Sequence, residues 1–151
     1  MADEILKYSP CNLCQRMCGA RRDAGQVGFC GSTQNIRISR AAPHFWEEPI
    51  ISGNYGSGTI FFSGCSLRCE FCQNRAISHA GGKGEVLSID RLCEIMLELQ
   101  NMGAENINLV TPTHYVDAII EALNIYNESF NFKNDQVDPV LNRPIFTVDE
   151  A

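Results

Sequence analysis

The stretch Thr59-Ile60-Phe61-Phe62-Ser63-Gly64-Cys65-Ser66-Leu67-Arg68-Cys69-Glu70-Phe71-Cys72 decides how this chain is read. Its first four residues are a short continuous apolar run ended by Ser63-Gly64, the pattern of a strand buried on both faces in a parallel sheet. Three cysteines follow at once in the spacing C-x3-C-x2-C. A cubic iron–sulfur cluster normally takes four protein thiolates. With three supplied, one metal position stays open, and an open position predicts chemistry, as it does at a catalytic zinc. A zinc site on the same cysteines is the plainer alternative.

Downstream, Ser88 stands where a helix cap is needed, with Asp90 in the first turn. Ile89, Leu92, Met96, Leu99 and Met102 then recur at helical spacing and Gly103 supplies a stop. Ile107 to Val110 reads as a second strand. Tyr115 to about Tyr126 reads as a second helix with Val116, Ile119, Ile120 and Leu123 on one face. Strand, helix, strand, helix is the β/α pattern of a parallel sheet. In such sheets the reacting groups gather on loops at the carboxyl ends of strands. Cys65–Cys72 follows the first strand and Thr111-Pro112-Thr113-His114 the second, so both motifs fall on that edge.

Upstream, Ile36-Arg37-Ile38 reads as a short alternating strand, and Pro43, Pro49, Gly53, Gly56 and Gly58 mark a loop from Ala41 to Gly58. His44, beside Trp46, Glu47 and Glu48, is expected in that loop over the mouth of the parallel sheet, with Trp46 packed beneath it. The segment from Cys11 to Gly31 is turn-rich and poor in periodic apolar residues. It carries Cys11, Cys14, Cys18 and Cys30, a complete four-thiolate set that suits a closed structural zinc or a second, electron-relaying cluster. A stretch with so little core is best explained by a metal staple. After Asn124 the character changes to polar and aperiodic, and Arg143 to Val148 offers one more strand, at a sheet edge because of Pro144. The expected organisation is therefore a cysteine-rich segment over 1–40, a β/α core over 41–126 and a divergent polar tail over 127–151.

Composition sets outer limits. At 151 residues, 44% of them hydrophobic, the chain is about one domain with enough apolar content for a core. A net charge of −6 and the lack of any long basic block argue against nucleic acid or an anionic membrane as partner. Arg21-Arg22 reads as a solvated turn, and His79 as a surface residue. The amino end has no apolar leader and no run long enough for a membrane span, so a reducing cytoplasm is the expected location. Eight cysteines there signal metal binding rather than disulfides. The exception is Cys93, on the apolar side of a helical pattern, which reads as a core residue. Gly56-Ser57-Gly58 and Gly81-Gly82-Lys83-Gly84 lack the context of phosphate loops and read as turns.

Cys65-Ser-Leu-Arg-Cys69-Glu-Phe-Cys72 resembles the cluster motif of the radical S-adenosylmethionine (SAM) enzymes, including the aromatic Phe71 before the third cysteine. The flanks, His44 to Pro49, Gly53 to Gly58, Cys72-Gln73-Asn74 and Asn106 to His114, resemble the pyruvate formate-lyase activating enzyme-like proteins. This resemblance spans about residues 8–125. It implies an α/β fold, the first units of a partial (β/α)6 barrel preceded by a cysteine-rich metal-binding segment. Only two or three such units are legible, so the sequence reads as an incomplete copy. The resemblance further implies a 4Fe–4S cluster on Cys65, Cys69 and Cys72 whose open iron takes the amino and carboxylate groups of S-adenosylmethionine. One electron then splits the sulfonium to a 5′-deoxyadenosyl radical, which abstracts a hydrogen atom, in the activases from a glycine of a partner protein. It implies cofactor contacts at Phe71, Asn74, Asn108, Thr111, Thr113 and His114. The implied partners are a protein substrate and an electron donor such as a flavodoxin or ferredoxin. The broader family has a Gly-Gly-Glu-like stretch where this chain has Thr111 to His114, so hydroxyls or Asn108 would serve in its place. The competing function is a catalytically inactive, truncated metal-binding module.

Overall fold

Thr59–Phe62 lies within a strand, β2 (Ser57–Phe62), whose residues are buried except for the half-buried Phe61. The computed structural model describes residues 8–79, 83–133 and 146–148, with side chains over 8–79 and 83–127. Before β2 come β1 (Ile36–His44) and a single-turn helix, α1 (Pro49–Ser52). After it come α2 (Arg75–Ser78), β3 (Glu85–Leu87), α3 (Ile89–Asn101), β4 (Ile107–Val110), α4 (Val116–Lys133) and β5 (Phe146–Val148). The strands form one sheet in the order β3-β1-β2-β4-β5.

β2 pairs parallel with β4, Gly58 opposite Ile107 and Phe61 opposite Val110, as the β/α reading requires. β5 adds a parallel edge strand beside β4. The other half of the sheet differs from expectation. β1 runs antiparallel to both β2 and β3, so the sheet is mixed. The stretch 41–44, expected in a loop, is strand. Ala41 pairs with Ile60 and His44 with Ser57. Pro43 is tolerated because β3 pairs with Ile36–Ile38 and, among the described residues, no strand flanks that side of β1 at Pro43. A bulge between Ile38 and Arg40 interrupts the β1–β2 register. It directs the Ser39 hydroxyl to within 2.6 Å of the Ser63 hydroxyl.

α3 begins where the sequence indicates, with the Ser88 hydroxyl accepting from the Arg91 N–H at 3.1 Å. Gly103, at φ 90°, follows its last turn in the left-handed conformation that favours glycine. Its buried face is Leu92, Cys93, Ile95, Met96 and Leu99. Cys93 is thus a core residue, while Met102 lies outside the stripe and is exposed. α4 runs further than expected, to Lys133, and buries a different face. Ala118, Ile119, Ala122 and Tyr126 are buried and Ile120 is exposed. The small Ala118 and Ala122 let α4 approach α3, and Tyr126 Oη donates to Gln100 Oε1 at 2.6 Å across that contact. Both helices cover one face of the sheet, where Ile36, Ile38, Ile60, Phe62, Ile107 and Leu109 complete the core.

The segment from Phe45 to Tyr55 joins β1 to the amino end of β2, at the sheet edge opposite Cys65. His44 and Trp46 therefore do not sit over the carboxyl edge, and Trp46 is 90% exposed rather than packed. Asn106 ties this segment down, donating from Nδ2 to Ile51 O and accepting at Oδ1 from Ser57 Oγ, both at 2.6 Å. No helix among the described residues is long and apolar enough to cross a membrane. Residues 81–82 of the glycine-rich turn, and 134–145 and 149–151 of the polar tail, lie outside the described residues.

Candidate active site at the carboxyl edge of the parallel strands

The loop after β2 begins with Ser63, and four contacts fix its start. Ser63 N–H donates to Arg37 O at 2.9 Å. Ser63 O accepts from His114 Nε2 at 2.9 Å and from Ser32 Oγ at 3.3 Å. Gly64 N–H donates to Ile77 O at 2.9 Å. Gly64, at φ 84°, is held so close to the upstream cysteine segment that a Cβ there would run into the Cys30 carbonyl and the Ser32 hydroxyl. Cys65 is buried, while Cys69 and Cys72 are half-buried. Two of the three sulfurs receive hydrogen-bond donors: Leu67 N–H to Cys65 Sγ and Ser78 Oγ to Cys72 Sγ, both at 3.4 Å. Such donors suit sulfurs that carry thiolate charge, and they tune any iron–sulfur group bound there.

The loop after β4 closes on the same place. Thr111 has φ 56°, a conformation that a β-branched residue rarely adopts and that costs on the order of 1–3 kcal/mol. In that conformation its hydroxyl reaches the carbonyls of Phe62 and Gly64, each at 3.4 Å. His114 is 1% exposed, packs at 4.2 Å on Tyr115 and spans from β4 to Ser63. The expected adjacency of the two motifs is thus present, but the roles differ from a simple lining of polar side chains. Thr111 and His114 face the backbone of the cysteine loop. Thr113 is exposed at the start of a single 3-10 turn and caps no helix. Asn74 is exposed, and its carbonyl starts α2 by accepting from Ile77 and Ser78. Phe71 is 89% exposed and is not a core aromatic. Asn108 is buried on β4, and its Oδ1 has no hydrogen-bond partner among the described residues.

Burial pushes the His114 imidazole down to about 4, with the nearby Arg22 guanidinium acting in the same direction and the Ser63 carbonyl opposing it. The neutral ring, donating from Nε2–H, is the form that the fold selects. Above about pH 6.5 the ring is neutral in folded and unfolded chains alike, and its contribution is complete. As pH falls from 6.5 towards 4 only the unfolded chain takes up the proton, so stability should drop by up to about 3 kcal/mol. Urea unfolding of wild type and His114→Asn between pH 7.5 and 4 tests this. The variant's curve should be flatter over that window, and parallel curves would refute the assignment. The Asp117 carboxyl, raised by burial, titrates in both proteins and cancels in the comparison.

The amino-terminal cysteines are held by a group that the sequence did not reveal. Arg22, expected in a solvated turn, is 1% exposed. Its Nε and Nη2 donate to Thr33 O at 3.2 and 2.7 Å, and Nη1 lies 3.7 Å from Cys11 Sγ. The guanidinium also lies over the rings of Tyr8 and Tyr115, at 5.0 and 5.7 Å. A Cβ on Gly28 would lie 3.4 Å from Cys18 Sγ and 3.5 Å from Cys30 Sγ, so both sulfurs border the space that glycine leaves open. Backbone donors from Ala20 and Phe29 lower the Cys18 thiol, whereas burial raises that of Cys30. Among the described residues, no three His, Cys, Asp or Glu side chains converge closely enough to hold a single metal ion, so geometry adds nothing to a one-zinc reading of either cysteine set. His79, expected at the surface, is half-buried, with Nδ1 2.9 Å from Ser78 Oγ.

Residues 59–142 match the family model described as the radical SAM superfamily. The chain therefore belongs to the radical SAM superfamily, whose members use a 4Fe–4S cluster and S-adenosylmethionine. It is also similar to "Uncharacterized protein MJ0674" of Methanocaldococcus jannaschii, 35% identical over 77 residues. That match covers 50% of this chain and 21% of the relative, so the chain spans about a fifth of the curated relative's length. No solved structure matches.

Proposed function

We propose that Cys65, Cys69 and Cys72 hold a 4Fe–4S cluster whose open iron takes S-adenosylmethionine. The observation carrying this reading is the cysteine loop itself, at the carboxyl edge of the β2–β4 parallel pair, with donors already on Cys65 Sγ and Cys72 Sγ. When bound, the cluster supplies the electron for reductive cleavage of the sulfonium. The chain's own residues position that chemistry. Leu67 N–H and Ser78 Oγ stabilise sulfur charge, while His114 and Thr111 hold the backbone between Phe62 and Gly64. Asn108 is the side chain we assign as a polar contact to the cofactor: its Oδ1 is buried with no partner among the described residues, and such an acceptor costs about 1–3 kcal/mol unless a ligand satisfies it. Phe71, Asn74 and Thr113 are exposed on the same edge and available to the adenosyl side.

The reaction class we assign is hydrogen-atom abstraction, with a glycine of a partner protein as the target. The flanking resemblance to the pyruvate formate-lyase activating enzyme-like proteins supports that target, and a low-potential flavodoxin or ferredoxin as donor. Cys11, Cys14, Cys18 and Cys30 are assigned a second metal or cluster. Its support is the approach of both the Cys18 and Cys30 sulfurs to Gly28 and the scarcity of apolar core in that segment.

Anaerobic reconstitution with iron and sulfide tests the proposal. The expected product is brown, absorbs broadly near ~400 nm as iron–sulfur proteins do, and releases 5′-deoxyadenosine from S-adenosylmethionine under a strong reductant. A colourless protein that retains zinc and yields no deoxyadenosine would instead establish an inactive metal-binding module.

A further inference from the structure

The two cysteine segments are joined directly, and the joint falls on the loop between Cys65 and Cys69. Cys65 N–H donates to Cys30 O at 3.0 Å. Arg16 lies between Cys14 and Cys18 in sequence, and it reaches across to the other loop. Its Nε donates to Ser66 O at 2.9 Å and its Nη2 lies 3.4 Å from Leu67 O. The same guanidinium stacks 4.3 Å from the Phe29 ring centroid. From the opposite partner, the Arg68 guanidinium lies over that ring at 4.8 Å. Arg68 itself stands at φ 54°, a left-handed conformation that a non-glycine residue rarely adopts. Phe29-Cys30 thus receives the loop twice, through a ring and through a carbonyl.

We propose that the amino-terminal cysteine segment is a built-in clamp on the Cys65–Cys69 loop, and that Arg16 is its positioning residue. A planar guanidinium suits the task because one group can satisfy two successive carbonyls while stacking on an aromatic face, which a lysine ammonium cannot do. Three residues separate Cys65 from Cys69, and Arg16 holds the first two of them. Freedom in Ser66 and Leu67 would pass directly to the sulfurs on either side. The inference rests on the reading of Cys65, Cys69 and Cys72 as cluster ligands, but the clamp exists without the cluster and is testable without it.

The experiment is amide hydrogen exchange on the apo-protein, joined to electron paramagnetic resonance on the reconstituted and reduced protein with and without S-adenosylmethionine. Arg16 is a surface residue, so Arg16→Ala should fold. Peptides covering 63–69 should exchange about ten-fold faster than in wild type, with α3 unchanged, as expected for local opening after two lost hydrogen bonds and a ring contact. The cofactor-induced change in the resonance spectrum should be weakened or broadened in Arg16→Ala and partly restored in Arg16→Lys, which keeps one donor for Ser66 O. Unchanged exchange over 63–69, or acceleration spread equally through α3, overturns the clamp. Local acceleration with a wild-type spectrum overturns the positioning role and leaves a surface staple. Wild-type protein that binds no iron removes the ligand reading instead, while the exchange arm still decides the clamp.

Discussion

Cys69→Ala protein, reconstituted without oxygen, is expected to lose the iron and absorbance contributed by the Cys65–Cys72 site and to release no 5′-deoxyadenosine above background. The reason is arithmetic. Three thiolates are already one fewer than a 4Fe–4S cluster ordinarily takes, and two cannot hold the cube while leaving a position open for a cofactor. Cys93→Ala is the control. Cys93 is buried in the core face of α3, far in function from either cysteine set, and its replacement should cost about 1 kcal/mol of stability as a small cavity while iron content stays at the wild-type level. Iron per chain, measured alongside deoxyadenosine, reads both proteins. Retained turnover in Cys69→Ala would remove the cluster assignment from this loop.

Arg22→Ala is expected to be the most destabilising single change in the amino-terminal segment, by about 3 kcal/mol, from a cavity plus a partly buried carbonyl left without its donors. The lost partners are specific: two donors to Thr33 O, the approach to Cys11 Sγ and the contacts with Tyr8 and Tyr115. Tyr115 begins the run into α4, so Arg22 links the cysteine-rich segment to the helical layer as well as ordering it locally. Arg22→Met keeps much of the volume but not the donors, and should fall between wild type and Arg22→Ala. Urea midpoints of the three apo-proteins give the comparison. A loss below about 0.5 kcal/mol in Arg22→Ala, the range of ordinary surface changes, would show that the burial of this guanidinium is incidental.

The two predictions concern features of very different visibility. The cysteine loop announces itself because thiolate spacing and a preceding apolar run are local, and local patterns are what a sequence displays. Arg22 looks like any arginine beside another arginine in a glycine-bearing turn. Its burial depends on Tyr115 and Thr33, which nothing in its neighbourhood indicates. Ser63 is a similar case. Its carbonyl and hydroxyl join Ser32, Ser39 and His114, three residues from three separate stretches of chain, and no serine spacing could have singled them out.

Helix faces were legible only in part for the same reason. On α3 the apolar period follows the buried face through Leu99 and leaves it at Met102, and on α4 the bulky Ile120 yields to Ala118 and Ala122. Periodicity fixes that a helix has a buried side, but the neighbour chooses which side when two apolar arcs compete. The antiparallel β1 is not legible beyond Ile38, because Pro43 argues against strand unless one side of the strand is known to be open.

From its residues alone this chain determined the parallel β2–β4 unit, the capped α3 and the cysteine triad at the carboxyl edge. Continuous apolar runs, capping chemistry and ligand spacing are all set within a few residues of one another. Tertiary structure alone decided that the sheet is mixed, that His114 and Thr111 serve the loop backbone, and that the Arg16 and Cys30 segment grips the cysteine loop. Those facts depend on which distant backbone carbonyls and rings come within reach, and only the folded packing brings them there.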